Sequence, residues 1–314
     1  MEFKRARFAG GCNTGLNKKI LENGWKISKS NESGEKYDAE IPGNIRTTLI
    51  NAGVIPDPFI GKSNEKSKWV SDIDWTYSND VKIDPSGTHA MDQFTNGWLY
   101  HLIFEGIDYD ASFFINTKKI CRQTGMFSPV DLITGIIPGE QESALSFNIQ
   151  VLFHKQPWWR QHAVKSQMAF GWDFAPEMRT IGIWKHVNVH YTGPAFFSDV
   201  FIYAEPIDVK TPSKVNVRVE CMISAIDPET LNEISENQAL NFEIKVGDLA
   251  KKVQAKYTPN ESIIIDVGEM EIPRWQPWSI GEQTRVPIIL NLYWEGKLSD
   301  QYQGHAVNRQ IKWL

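Results

Sequence analysis

Cysteine is scarce in this chain, and its placement suits no chemistry. Cys12, Cys121 and Cys221 lie far apart, odd in number and without any Cys-x-x-Cys spacing. That excludes a cysteine-built metal site and a secreted disulfide scaffold, and leaves free structural thiols. Histidine does not fill the gap. His186 and His190 fall four apart on one predicted strand, roughly 13 Å by strand rise and too far for a shared metal. His154 and His162 flank a tryptophan-rich loop and read as surface or hydrogen-bonded side chains, so neither metal nor cofactor is expected. Long apolar runs are also missing. Nothing approaches the ~18 residues of a membrane span, and no apolar segment follows the basic Lys4, Arg5 and Arg7, so no signal peptide is visible and a cytoplasmic location is expected. Positive charge is not in excess. A net charge of −5 with scattered Lys and Arg provides no field to gather nucleic acid or anionic lipid.

Helix signals are few. One segment, Asn44 to Ala52, has an N-cap (Asn44), an apolar face (Ile45, Leu49, Ile50) and a closing Gly53. Asp227 to Asn232 reads as a loop carrying a turn. Period-two alternation dominates instead. Lys214 to Cys221 and Leu240 to Val246 alternate apolar and polar without a fault, the pattern of half-buried antiparallel strands. Looser runs occur at Trp98 to Phe104, Ala111 to Ile115, Leu145 to Phe153, Val187 to Tyr191, Val200 to Ala204, Ser262 to Val267 and Pro287 to Tyr293. The expected fold is all-β. The chain breaks at Tyr191-Thr192-Gly193-Pro194, which divides it into 1–193, large enough for a sandwich with irregular loops, and 194–314, the size of an immunoglobulin-like sandwich.

Aromatic residues are abundant, with 12 Trp, 16 Phe and 9 Tyr. Most tryptophans are expected in sheet-on-sheet cores. The densest segment combines Trp158, Trp159, Trp172 and Trp184 with Arg160, Arg179 and Asp173. A carboxylate set between Trp172 and Phe174 is costly to bury, and sugar hydroxyls or an arginine could supply its donors. The alternative is a tryptophan cluster whose aspartate caps a turn.

Further motifs occur in a fixed order: Pro42-Gly43, Ile55-Pro56-Asp57-Pro58-Phe59, Asn64-Glu65, Asp74-Trp75, Phe104-Glu105-Gly106-Ile107-Asp108, Phe170-Gly171-Trp172-Asp173 and Gly182-Ile183-Trp184. Near the C-terminus come Trp275-Gln276-Pro277-Trp278 and Gly281-Glu282-Gln283. Together they resemble the N-terminal region of family 2 glycoside hydrolases, the β-mannosidase and exo-β-glucosaminidase branch. The resemblance implies a jelly-roll, sugar-binding-type domain followed by an immunoglobulin-like domain. It also implies that a (β/α)₈ barrel carrying both catalytic glutamates would begin about where this chain ends.

On that resemblance no catalytic residue is expected here. Asn-Glu, the family's acid/base dipeptide, occurs at Asn31-Glu32, Asn64-Glu65, Asn232-Glu233 and Asn260-Glu261, none of them in a barrel-strand context. Asp173 and Trp172 match a loop that faces the sugar pocket in mannosidase-type members, although Phe174 stands where tryptophan is more usual. Asp173, Trp172 and Arg160 are the candidate substrate-binding residues. The implied role is recognition of a β-linked mannose- or glucosamine-type sugar, or support of a separate barrel. Apolar surface near Trp172 and near Trp275 to Trp278 is expected to be covered by such a partner or by self-association. The alternative is a free-standing structural or interaction protein with no sugar affinity.

Overall fold

The computed structural model describes residues 4–5, 14–30, 34–83, 97–136, 145–208, 210–225, 239–258 and 261–309. Cys12, Asn31-Glu32, Asn232-Glu233, Asn260 and the Asp227 to Asn232 turn lie outside the described residues. Strands dominate, and no described helix is long and apolar enough to cross a membrane.

The first half contains β1 (Lys4–Arg5), β2 (Leu16–Ile20), β3 (Lys26–Lys29), β4 (Tyr37–Asp38), α1 (Ile45–Asn51), α2 (Ser63–Lys66), β5 (Trp75–Ile83), β6 (Trp98–Phe104), β7 (Ile107–Asp108), β8 (Asp110–Ile115), β9 (Lys118–Thr124), β10 (Val130–Ile136), β11 (Leu145–Phe153), β12 (Gly182–Ile183) and β13 (Val187–Thr192). A five-stranded sheet runs β1-β10-β6-β13-β2, and a six-stranded sheet runs β4-β3-β5-β11-β8-β9. They pack face to face: Phe104 of β6 meets Phe113 of β8 edge-on at 4.9 Å, and Trp25 closes on Phe104 at 6.3 Å.

The second half contains β14 (Ala195–Pro206), β15 (Lys214–Ala225), β16 (Ala239–Val246), β17 (Leu249–Lys256), β18 (Ile263–Glu271), β19 (Val286–Trp294) and β20 (Lys297–Ala306). These form a three-stranded sheet (β14-β15-β18) and a four-stranded one (β17-β16-β19-β20). Phe197 and Phe242 link the two across the core at 6.4 Å. The alternation in β15 does what it predicts, because Val215, Val217, Val219 and Cys221 all point inward. Burial pushes the Cys221 thiol up to about 12, which makes it inert.

Strand pairing among the described residues stays within each half, and the joint between them is made by side chains and turns. Asp300 of β20 is wholly buried there. Its Oδ1 accepts the Gly15 amide at 2.8 Å and the Gln301 amide at 2.7 Å, and its Oδ2 accepts the Phe197 amide at 2.8 Å. Gly193 donates to the Ser299 carbonyl at 2.7 Å, and Phe196 meets His101 edge-on at 4.9 Å.

α1 forms as its sequence dictates. The Asn44 side-chain oxygen accepts the Thr47 amide at 3.1 Å, Ile45 and Leu49 are buried, and Gly53 takes φ 71° just past the end.

Candidate functional site

The tryptophan-rich segment between β11 and β12 has a locked base and an open tip. Lys165 and Asp108 are buried together, 2.6 Å apart. The ammonium also donates to Gln156 Oε1 at 2.8 Å and to the Thr180 carbonyl at 2.6 Å, so three acceptors match its three protons. Thr180 donates its hydroxyl to the second Asp108 oxygen. Burial raises the Asp108 carboxyl above its ordinary range and lowers the Lys165 amine, while each partner's charge opposes the shift of the other.

Arg179 is the second anchor. It reaches Asp72 at 2.9 Å, Glu177 at 2.8 Å and the Gln156 carbonyl at 3.2 Å. Its own carbonyl accepts the Ser71 hydroxyl, which in turn accepts from Arg46 of α1 at 2.7 Å. Burial and the neighbouring Arg179 lower Arg46 to about 10, still charged at neutral pH.

Above this base, Gly171 takes φ 89°, and Trp172 and Ala175 exchange two backbone hydrogen bonds of 3.0 and 3.1 Å. Asp173 and Phe174 are therefore the two residues of a tight turn. Trp172 is 53% exposed and Phe174 80%. Asp173 is exposed too, so the burial cost that the sequence raises does not arise. The Arg160 guanidinium lies over the Trp172 ring at 5.7 Å. The structure thus places Arg160 and Trp172 in contact, with Asp173 following on the turn.

The remaining motif residues converge on a joint below. Gly43 donates to the Ile183 carbonyl at 2.8 Å and Ile45 to that of Ile181 at 2.9 Å, while β7 pairs with β12. A Cβ at Gly182 would stand 2.7 Å from the Gly43 carbonyl, and one at Gly106 2.7 Å from Trp184 Nε1. Pro42, Gly43, Asn44, Asp108, Gly182 and Trp184 line a cavity of about 310 Å³ there. Glu65 sits exposed on α2, in the loop whose Ser67 is held by Arg46. Trp275 lies under Arg309 at 4.8 Å, but Trp278 is 86% exposed.

One arrangement imitates a nucleophile relay. His101 Nδ1 is 2.8 Å from Asp131, and its Nε2 is 3.0 Å from the Thr192 hydroxyl. All three are buried, and Thr192 donates its proton to the Gly193 carbonyl at 2.9 Å. No substrate reaches it, and it is a structural tie. His190, stacked on His101 at 4.8 Å, is held neutral by burial, which lowers its pKa well below the ordinary value. His154 bonds the Ser112 hydroxyl at 3.0 Å. Lys165, buried on a loop between exposed residues, is the site-supporting residue that the sequence reading misses. Its one signal is a lysine within the aromatic segment, which alone does not separate a buried charge from a surface one.

A model of the glycosyl hydrolase 2 galactose-binding domain-like family matches residues 25–185, just over half of the chain. Beta-mannosidase of Capra hircus is 24% identical over 93% of this chain, and beta-mannosidase B of Thermothelomyces thermophilus 25% identical over 87%. This chain spans only 34% and 32% of those proteins, about a third of their length. Among solved structures, the beta-D-mannosidase of Dictyoglomus thermophilum superposes with a TM-score of 0.70 at 20% identity, over 93% of this chain and 36% of that one. The exo-chitosanase of Amycolatopsis orientalis gives 0.68 at 15% identity, over 92% and 33%.

Proposed function

We propose, from the premise that this chain belongs to the glycosyl hydrolase 2 galactose-binding domain-like family, that it is the sugar-recognition and barrel-supporting portion of a β-mannosidase- or exo-β-glucosaminidase-like glycosidase. The observation that carries the proposal is the exposed Trp172-Asp173-Phe174 turn on its charge-locked base. An indole face packs against the C–H face of a pyranose, and an ionised carboxylate accepts from its hydroxyls. A tip with two exposed aromatic rings and one exposed carboxylate suits a β-linked mannose or glucosamine unit.

Hydrolysis with retention requires two carboxylates about 5 Å apart across the scissile bond. We assign that pair to a partner barrel and not to Asn64-Glu65, which belongs to α2 and the loop that Arg46 holds. The turn then forms one wall of a pocket whose chemistry is contributed by the partner.

Calorimetric titration with mannose-, glucosamine- and galactose-type oligosaccharides tests the reading. Binding is expected, and it should vanish in Trp172→Ala and Asp173→Ala. A folded protein that gives no heat with any of them refutes it and favours the free-standing interaction protein. Aryl β-glycosides should not be turned over by this chain alone.

A further inference from the structure

The groove beside the turn carries a charge that a neutral sugar would leave unused. Trp158 and Trp159 meet edge-to-face at 4.4 Å, and with Arg160, Gln161 and Phe170 they line a groove of about 260 Å³. Trp158 is 73% exposed, a large apolar face left to solvent. Two rings set at 63° present a floor and a wall, on which a pyranose ring can stack.

Arg160 supplies the polarity. The Arg160 guanidinium lies over the Trp172 ring at 5.7 Å from its centroid, and among the described residues no ion pair or hydrogen bond claims that group. Two acids of the base, Asp72 and Glu177, are committed to Arg179. Asp173 does not line the groove. A planar fork of unclaimed N–H donors beside a stacking floor matches a carboxylate, which takes two parallel hydrogen bonds from one guanidinium. A hydroxyl presents a single oxygen and does not match two parallel donors in that way.

We propose that this groove is a subsite for a carboxylate-bearing sugar, a hexuronate unit stacked on Trp158 and Trp159 with its carboxylate bridged by Arg160. The proposal rests on the sugar-recognition reading of the neighbouring turn and adds the charge of the ligand. The charge makes binding salt-sensitive, and the exposed rings make it visible in tryptophan fluorescence.

The test is a fluorescence titration of the 314-residue chain with a uronate-containing β-linked disaccharide, its neutral counterpart and a sulfated counterpart, at low and high salt. The uronate form should bind about tenfold tighter than the neutral one at low salt, the scale of a charge-assisted pair of hydrogen bonds, and the margin should shrink at high salt. Arg160→Gln should bring the ratio to about one with no change in thermal midpoint, because the side chain is exposed. Equal affinity of wild type for the neutral and uronate sugars overturns this proposal and leaves the sugar-recognition reading standing. A sulfated sugar bound as tightly as the uronate overturns the carboxylate assignment. Failure to bind any of the three overturns both.

Discussion

Replacing Asp300 with alanine should destabilise the protein more at low pH than at neutral pH. The intuitive expectation is the reverse. Three backbone amides, from Gly15, Phe197 and Gln301, donate to this carboxylate, and His101 lies near enough to favour its ionised form. Those contacts lower the pKa. Complete burial opposes them and prevails, so the carboxyl is raised from 3.8 to about 6. The folded state therefore holds the proton more tightly than the unfolded chain. The stability due to that proton is fully present below about pH 4 and is lost as pH rises through about 6. At 1.36 kcal/mol per tenfold, the loss is about 3 kcal/mol. Urea unfolding of wild type and Asp300→Ala, at intervals between about pH 4.5 and 7, isolates this contribution as the difference between the two curves. The cost of the substitution should fall by about 2 kcal/mol across that window. A cost that rises with pH would show that the amides outweigh desolvation, and the electrostatic account of the joint would be wrong.

Lys165→Ala strands a buried carboxylate at Asp108 and should cost about 3–5 kcal/mol in urea unfolding, while Lys165→Met with Asp108→Leu should cost far less; equal costs would refute the paired-charge account. Gly182→Ala drives a methyl against the Gly43 carbonyl and should lower stability by about 1–3 kcal/mol, read as a drop in thermal midpoint. Trp172→Ala with Asp173→Ala should abolish sugar binding in calorimetry and leave stability within about 0.5 kcal/mol, because both side chains are exposed. Trp278→Ser should shift sedimentation towards monomer if that exposed ring mediates self-association; an unchanged profile removes this segment from any interface.

The strands most legible in the sequence are those with one wet and one dry face. β15, β16 and β19 alternate because one face of each packs on the core that their two sheets share and the other faces outward. β9 and β17 escape the same reading because most of their residues are exposed or half-exposed and rich in lysine, so no apolar face marks them. β20 hides for another reason: its inward residues include Ser299 and Asp300, buried polar groups that serve the joint. The α1 helix was legible to its caps, since both are local. At the candidate site Trp172 and Asp173 stand out by residue type and by resemblance, but their exposure does not, since the residue types raise a buried carboxylate instead. The base could not, because Lys165 with Asp108 and Arg179 with Asp72 are partners 57 and 107 residues apart that only the fold brings together.

The buried Lys165 and Arg179 have a consequence for how such a protein can diversify. The loop is tied down by ion pairs and hydrogen bonds at its root, so little in the hydrophobic interior depends on what stands at its tip. Substitutions at 158–160 and 172–174 should therefore be nearly neutral for folding. The segment is built as an exchangeable head on a fixed mount, so its tip can vary in sequence without cost to the fold below it.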